Sequence, residues 1–172
     1  MSKIILIAHN LRSTHNVGSL LRTAEGLGVT EVILSGYTPY PLLQVEDRLP
    51  HLANKINHQI TKTALGAEKT QVWSRSADIM ATMAKLRSDG FCLAAIEQAE
   101  HSTPLPGYVA PPQLALLVGR EVEGIEPELL ALCDHILEIP MFGQKESFNV
   151  VQAAAMALYQ ITFHSRGSGI LK

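Results

Sequence analysis

Leu137-Glu138-Ile139-Pro140-Met141-Phe142-Gly143-Gln144-Lys145-Glu146-Ser147-Phe148-Asn149-Val150-Val151-Gln152-Ala153-Ala154-Ala155-Met156-Ala157 is the stretch on which the reading of this chain turns. Pro140 ends an apolar strand because its ring removes a ladder donor. Gly143 opens a polar loop, and the alanine-rich run from about Ser147 favours helix. The Ser147 hydroxyl is expected to cap that helix, with Asn149 in the first turn, where free backbone N–H groups and the positive end of the helix dipole gather. Such an end can hold a carboxylate or phosphate. An ordinary strand–loop–helix unit with a capped helix accounts for the same residues, so the stretch points to α/β structure and leaves function open.

Short continuous apolar runs precede it at Ile4–Ala8, Glu31–Gly36, Phe91–Ile96 and Leu114–Gly119, the pattern of parallel strands buried on both faces. A shorter strand carrying Trp73 is expected over Thr70–Ser74. Helical patterns alternate with these runs. Ser19–Leu27 places Leu20, Leu21, Ala24 and Leu27 on one side and stops at Gly28, and another helix lies near His51–Leu65. Ala77–Arg87 is closed by Asp89-Gly90, and a short helix opens at Glu126-Pro127-Glu128 and runs to Leu132. The alternation predicts an α/β fold with a parallel sheet and helices on both faces. The loop holding Pro104, Pro106, Pro111 and Pro112 lies between strands too apolar to stand alone, so one domain is expected over residues 1–172.

The chain has 172 residues, 47% hydrophobic, 17% charged and 5% aromatic, which describes a globular protein with an aliphatic core. No apolar stretch approaches the roughly 20 residues that span a bilayer, and Ile4–Ala8 is too short for a signal-peptide core, so a cytoplasmic protein without membrane partners is expected. The net charge of −2 gives no overall attraction for nucleic acid, but residues 1–86 hold nine Lys/Arg against six Asp/Glu, whereas 87–172 hold five against ten. A polyanion would therefore lean on the first half. There Lys55, His58, Lys62 and Lys69 form either a phosphate-facing surface or a solvated helix face. Cys92 and Cys133 lack CxxC spacing and read as buried small apolar residues, and the seven histidines show no HExxH. No metal site is expected.

Three loops follow strand ends: Asn10–Gly18, Gly119–Ile125 and Ile139–Asn149. Ligands bind at that edge of open α/β sheets, and one shared pocket is expected. None carries GxGxxG, a Walker loop or a GxSxG elbow, which removes direct support for dinucleotide, ATPase or serine-hydrolase chemistry. Glu121 and Glu123, two apart in a loop, need not converge. Arg22 reads either as a surface arginine paired with Glu25 or, with Asn16, as a group facing the loop, and Asn16 and Gly18 can equally be turn formers.

Taken together, Asn16-Val17-Gly18-Ser19-Leu20-Leu21-Arg22-Thr23-Ala24, Val118-Gly119-Arg120-Glu121-Val122-Glu123-Gly124-Ile125 and Ile139-Pro140-Met141-Phe142-Gly143 with Ser147-Phe148-Asn149-Val150 resemble the three ordered motifs of the TrmH/SpoU family of SPOUT-class RNA 2′-O-ribose methyltransferases. Phe148 stands where that family usually has leucine. The resemblance implies a SPOUT α/β knot, with a C-terminal trefoil knot that breaks the rule against threaded loops. It implies S-adenosylmethionine held by Ile96, Val118, Gly119, Ile139, Met141 and Phe148, and a homodimer whose subunits complete each other's sites. The implied reaction is methyl transfer to a ribose 2′-hydroxyl of RNA. Arg22 would be the main catalytic residue, delivered from the partner subunit, with Asn16 and Glu121 positioning it and Ser147 and Asn149 ordering the knot and substrate. The chain looks like the bare catalytic domain, without the appended RNA-binding domain of many relatives. A compact substrate suits such a chain, so transfer RNA is preferred, with ribosomal RNA as the alternative. A non-catalytic knotted domain that binds RNA or S-adenosylmethionine is a second reading, disfavoured because the whole residue set is present. A doubly wound small-molecule enzyme is a third, and it lacks a phosphate or dinucleotide fingerprint.

Overall fold

β1 (Lys3–His9) lies inside a parallel sheet, buried from Ile4 onward, with β2 (Glu31–Ser35) hydrogen-bonded on one side and β6 (Gln113–Val118) on the other. Residues 2–166 are described in this computed structural model. Outward from β2 comes β3 (Trp73–Ser76). Beyond β6 come β4 (Cys92–Ile96), β7 (His135–Glu138) and β5 (Thr103–Pro104), giving a seven-stranded sheet in which every pairing is parallel.

Because strand side chains alternate, β1 feeds two separate cores. Ile4, Leu6 and Ala8 pack with Leu20, Leu21 and Ala24 of α1 (Thr14–Gly26) and with Ala154, Ala157, Leu158 and Ile161 of α6 (Val150–Arg166). Ile60 and Ala64 of α2 (Pro50–Ala64) close the same core, and α3 (Ala67–Thr70) follows. Ile5 and Ile7 pack on the other face with Met83 and Leu86 of α4 (Ile79–Ser88) and Leu129 of α5 (Pro127–Leu130). The sheet is thus covered by helices on both faces, as the apolar runs predict.

Local hydrogen bonding moves several expected boundaries. α1 starts at Thr14, not Ser19, because the Ser13 hydroxyl accepts the Asn16 N–H at 3.2 Å and caps the helix; Asn16 and Gly18 are helical residues, not turn formers. α6 is capped by Asn149, whose Oδ1 accepts the Val151 N–H at 2.9 Å, so Ser147 is not the cap and Asn149 precedes the first turn. β7 ends at Glu138, leaving Ile139 in the loop, and Thr70 belongs to α3 rather than to a strand. Cys92 and Cys133 are half-buried rather than fully buried, each against one of the two cores, and burial pushes the Cys133 thiol up to about 11. The proline loop contains β5, an edge strand, where a proline's missing donor does least harm.

The irregular segment between β2 and α2 is held by Arg48. It donates to the Tyr40 and Pro41 carbonyls at 3.0 Å, pairs with Glu46 and lies 3.8 Å from the centroid of the Tyr40 ring. The Arg48 guanidinium brings the Glu46 carboxyl down to about 2.

Gly18 stays in α1 because α2 crosses there: a Cβ would lie 2.2 Å from both the Ile60 carbonyl oxygen and Thr63 Oγ1. Gly18→Ala must push the two helices apart, and denaturant unfolding should show a loss of about 1–3 kcal/mol. Gly26→Ala, where a Cβ meets nothing within 4 Å, is the matched control and should be neutral or stabilising by roughly 0.5–1 kcal/mol.

Candidate functional site

The carboxyl ends of β1, β4, β6 and β7 lie along one edge of the sheet, and the loops leaving them meet there. The Glu121 carboxylate accepts Asn16 Nδ2 at 2.9 Å and the backbone N–H groups of Arg12 and Ser13 at 3.3 and 3.4 Å. Burial alone would push Glu121 up, but these donors outweigh it and leave its pKa below the ordinary value. Asn16 Oδ1 accepts Asn149 Nδ2 at 3.4 Å, so Asn16 joins the loop after β6 to the start of α6. Glu123 takes the Arg12 guanidinium at 2.7 Å. The two glutamates that need not have converged both grip Arg12, one at its backbone and one at its side chain.

Beside this junction is a cavity of about 140 Å³. Ile96, Val118, Gly119, Ile139, Met141 and Phe148 all line it, with Glu121, Ser147 and Glu97. Its walls require glycine. A Cβ on Gly119 would sit 2.5 Å from Ile125 Cγ1, and Gly124, at φ +72°, would place one 2.4 Å from Glu97 Oε2. Glu97 Oε2 accepts the Ile125 N–H at 2.9 Å, and Gln98 Nε2 donates to the Glu146 carbonyl at 2.9 Å. The end of β4 therefore ties both loops in place. Sequence reasoning missed Glu97 and Gln98, whose only signal was their position directly after an apolar strand.

Arg22 is apart from this group. It is exposed on α1, does not line the cavity and makes no ion pair with Glu25 among the described residues. Lys55, His58, Lys62 and Lys69 are exposed on α2 and α3.

A polar network behind the cavity was also missed. Asn10, at φ 57°, donates from Nδ2 to His9 Nε2 at 2.9 Å and to Glu126 Oε1 at 3.0 Å; His9 Nδ1 meets Ser35 Oγ at 3.1 Å, and Arg120 Nη2 is 3.5 Å from Glu126. Burial lowers the His9 pKa and favours the neutral ring, although nearby Glu126 acts in the opposite direction. With Nε2 accepting from Asn10, Nδ1 is assigned the proton. Each residue is visible at a strand or helix end, but the contact across the chain is not. No group of three or more His, Cys, Asp or Glu able to hold a metal ion, and no helix long and apolar enough to cross a membrane, occurs among the described residues.

Residues 3–159 match the model of the SpoU rRNA Methylase family. A Staphylococcus aureus (strain COL) protein assigned to the TrmH family of tRNA/rRNA methyltransferases is 29% identical over 157 residues, which cover 91% of this chain and 57% of the relative. The chain thus spans little more than half the length of that relative. The crystal structure of an AdoMet-bound rRNA methyltransferase from Sinorhizobium meliloti superimposes with a TM-score of 0.77 at 21% identity, over 93% of this chain and 56% of the other. A structure described as giving insight into the 2-OH methylation of C/U34 on tRNA superimposes with a TM-score of 0.71 at 23% identity, over 92% and 93%.

The depressed Glu121 pKa has a definite sign. Its contribution to stability is fully present above the ordinary carboxyl value of 4.5 and is lost as pH falls through the lower folded value. Glu121→Gln should therefore melt below the wild type at pH 7, and the gap should narrow in thermal melts taken from pH 5 towards pH 2. A gap that stays constant across that range would show that the charge plays no part.

Proposed function

The chain belongs to the SpoU rRNA Methylase family, the TrmH/SpoU group, and from that premise we propose that it transfers a methyl group from S-adenosylmethionine to a ribose 2′-hydroxyl of RNA, transfer RNA by preference. The observation that carries this reading is one cavity lined by the second and third motifs, with Asn16 of the first motif hydrogen-bonded to Glu121 in its wall and to Asn149 beside it.

The cavity suits the donor chemically. Ile96, Val118, Ile139, Met141 and Phe148 offer apolar walls for an adenine ring, Gly119 and Gly124 let backbone come close, and the carboxylates of Glu97 and Glu121 favour a cation. Bound there, S-adenosylmethionine would supply an electrophilic methyl group on a positively charged sulfur. Phe148 in place of leucine keeps that wall apolar, and it is partly exposed at 39%. Ser147 lines the cavity, and Asn149 fixes the start of α6 beside it.

A ribose hydroxyl is a weak nucleophile near neutral pH, so catalysis must stabilise the negative charge that grows on its oxygen. Arg22 is the residue for this, acting as an electrostatic stabiliser rather than a base, since a guanidinium offers donors and no acceptor. Its position away from its own cavity supports delivery into the site of a second subunit. Phe142, fully exposed at 100%, with Phe148, Met156 and Tyr159 also in water, offers an apolar surface for that homodimer around the start and outer face of α6. The trefoil threading of the C-terminal loops, a single catalytic domain over 1–172 and a cytoplasmic location belong to the same proposal. The preference for transfer RNA is supported at the level of fold by the tRNA-methylation structure that this chain nearly equals in extent; ribosomal RNA is the alternative.

The 172-residue chain given labelled methyl donor and total cellular RNA should label ribose. Arg22→Ala should lower turnover by about 10²–10³ with donor binding retained, the size of losing one charge-stabilising group. Asn149→Ala should lose turnover and also about 1 kcal/mol of stability as α6 loses its cap. Full transfer in both variants would overturn the residue assignment, and donor binding in the wild type without turnover on any RNA would favour the non-catalytic binding domain.

A further inference from the structure

The turns leaving β1 and β2 are laced together. Asn10 N–H donates to the Ser35 carbonyl at 3.1 Å, Leu11 N–H to Thr38 Oγ1 at 3.0 Å, Thr38 Oγ1–H to the Ala8 carbonyl at 3.0 Å, and Tyr37 N–H to Asn10 Oδ1 at 3.2 Å. Gly36, at φ +65°, completes the lock, since a Cβ there would lie 1.9 Å from Asn10 Oδ1. Both turns are thus held in one geometry by groups that are themselves mostly buried.

What these turns carry outward is a cation and an aromatic ring. The Arg12 side chain is 66% exposed and Tyr37 is 52% exposed. Arg12 is joined to the cavity wall by its backbone N–H on Glu121, and its guanidinium is steadied by Glu123 at 2.7 Å. The Tyr37 hydroxyl and the Glu123 carboxylate together hold the Arg12 pKa above its ordinary value. A surface arginine tethered to a carboxylate contributes little to stability, and an exposed tyrosine ring contributes little packing. A guanidinium with further N–H donors free is suited to phosphate or a base edge, and an exposed ring beside it is suited to stacking on an unpaired base.

We propose that Arg12 and Tyr37 form a preorganised platform for the substrate RNA, with the Arg12 guanidinium taking a phosphate and the Tyr37 ring stacking on a base next to the methylated ribose. The proposal rests on the reading of the cavity as the methyl-transfer site and adds to it the residues that hold the substrate at its rim. Glu123 holds Arg12 in place when RNA is absent and gives way to phosphate when it binds.

The test is binding of unfractionated transfer RNA to the full chain saturated with S-adenosylhomocysteine, titrated by fluorescence anisotropy at several salt concentrations. Arg12→Ala should weaken binding and reduce the log–log salt slope by about one. Tyr37→Ala should weaken binding about tenfold with the slope unchanged. Tyr37→Phe, which keeps the stacking ring and loses only the hydroxyl beside Arg12, should lose less binding than Tyr37→Ala. Calorimetry should show unchanged donor binding in all three. Glu123→Gln separates recognition from a structural latch: a released Arg12 binds RNA as tightly as before or more tightly, whereas a latch would make Glu123→Gln and Arg12→Ala weaken RNA and donor binding alike. Either that joint loss or wild-type RNA binding in Arg12→Ala and Tyr37→Ala would overturn the platform. A wild type that binds RNA through these residues yet labels none would overturn the methyl-transfer reading and leave the platform standing.

Discussion

A single carboxylate holds the functional edge together. Glu121 comes from the loop after β6, yet the donors it satisfies all belong to the turn after β1 and the first turn of α1. Backbone N–H groups at a helix start have no partners within the helix, and a negative charge placed there is favoured by both hydrogen bonding and the helix dipole. Ser13 satisfies the Asn16 N–H, and Glu121 reaches the N–H groups of Arg12 and Ser13 and the Asn16 Nδ2, leaving Asn16 Oδ1 to accept from Asn149. Loops from β1, β6 and the start of α6 thus become one unit, and the cavity lies beside it, lined by the end of β4, the loops after β6 and β7 and the start of α6.

The fold was legible where side chains repeat with a clear period. Ile4–Ala8 and Leu114–Val118 are apolar without interruption because both strands lie inside the sheet, covered on both faces. Boundaries set by one hydrogen bond were less legible. Ser13 and Ser147 are both serines ahead of helical sequence, and only Ser13 caps a helix; at the other end Asn149 is directly adjacent to the first helical residue and takes the role. Gly18 reads as punctuation in a sequence, but here it marks the closest approach of α2. That distinction depends on Ile60 and Thr63, which lie far along the chain and cannot be found by local pattern.

The candidate site divides along the same line. The six residues expected to wall the methyl donor all line one cavity, and Asn16, Glu121 and Asn149 form a hydrogen-bonded chain. Arg22 stands outside that cluster, exposed on α1, and its place there follows from no contact that the first motif shares with the cavity. Glu97 and the His9–Asn10–Glu126 group were invisible for another reason. Their partners lie far along the chain, and a lone acid or histidine at a strand end carries no spacing to read.

The position of β1 in the sheet also has a consequence for the order in which the molecule can assemble. β1 pairs with β2 soon after it, but its other edge waits for β6, where Lys3 meets Gln113. At about 5–20 residues per second of synthesis, that edge stays open for roughly 5–20 s on a growing chain. During this interval an apolar strand is paired on one side only, the condition under which strands find wrong partners. Contacts so far apart in sequence also slow folding of the finished chain. The lacing of the β1 and β2 turns through Asn10, Leu11, Tyr37 and Thr38 needs nothing beyond residue 38, so the early pair can hold its register while the rest of the sheet is still being made.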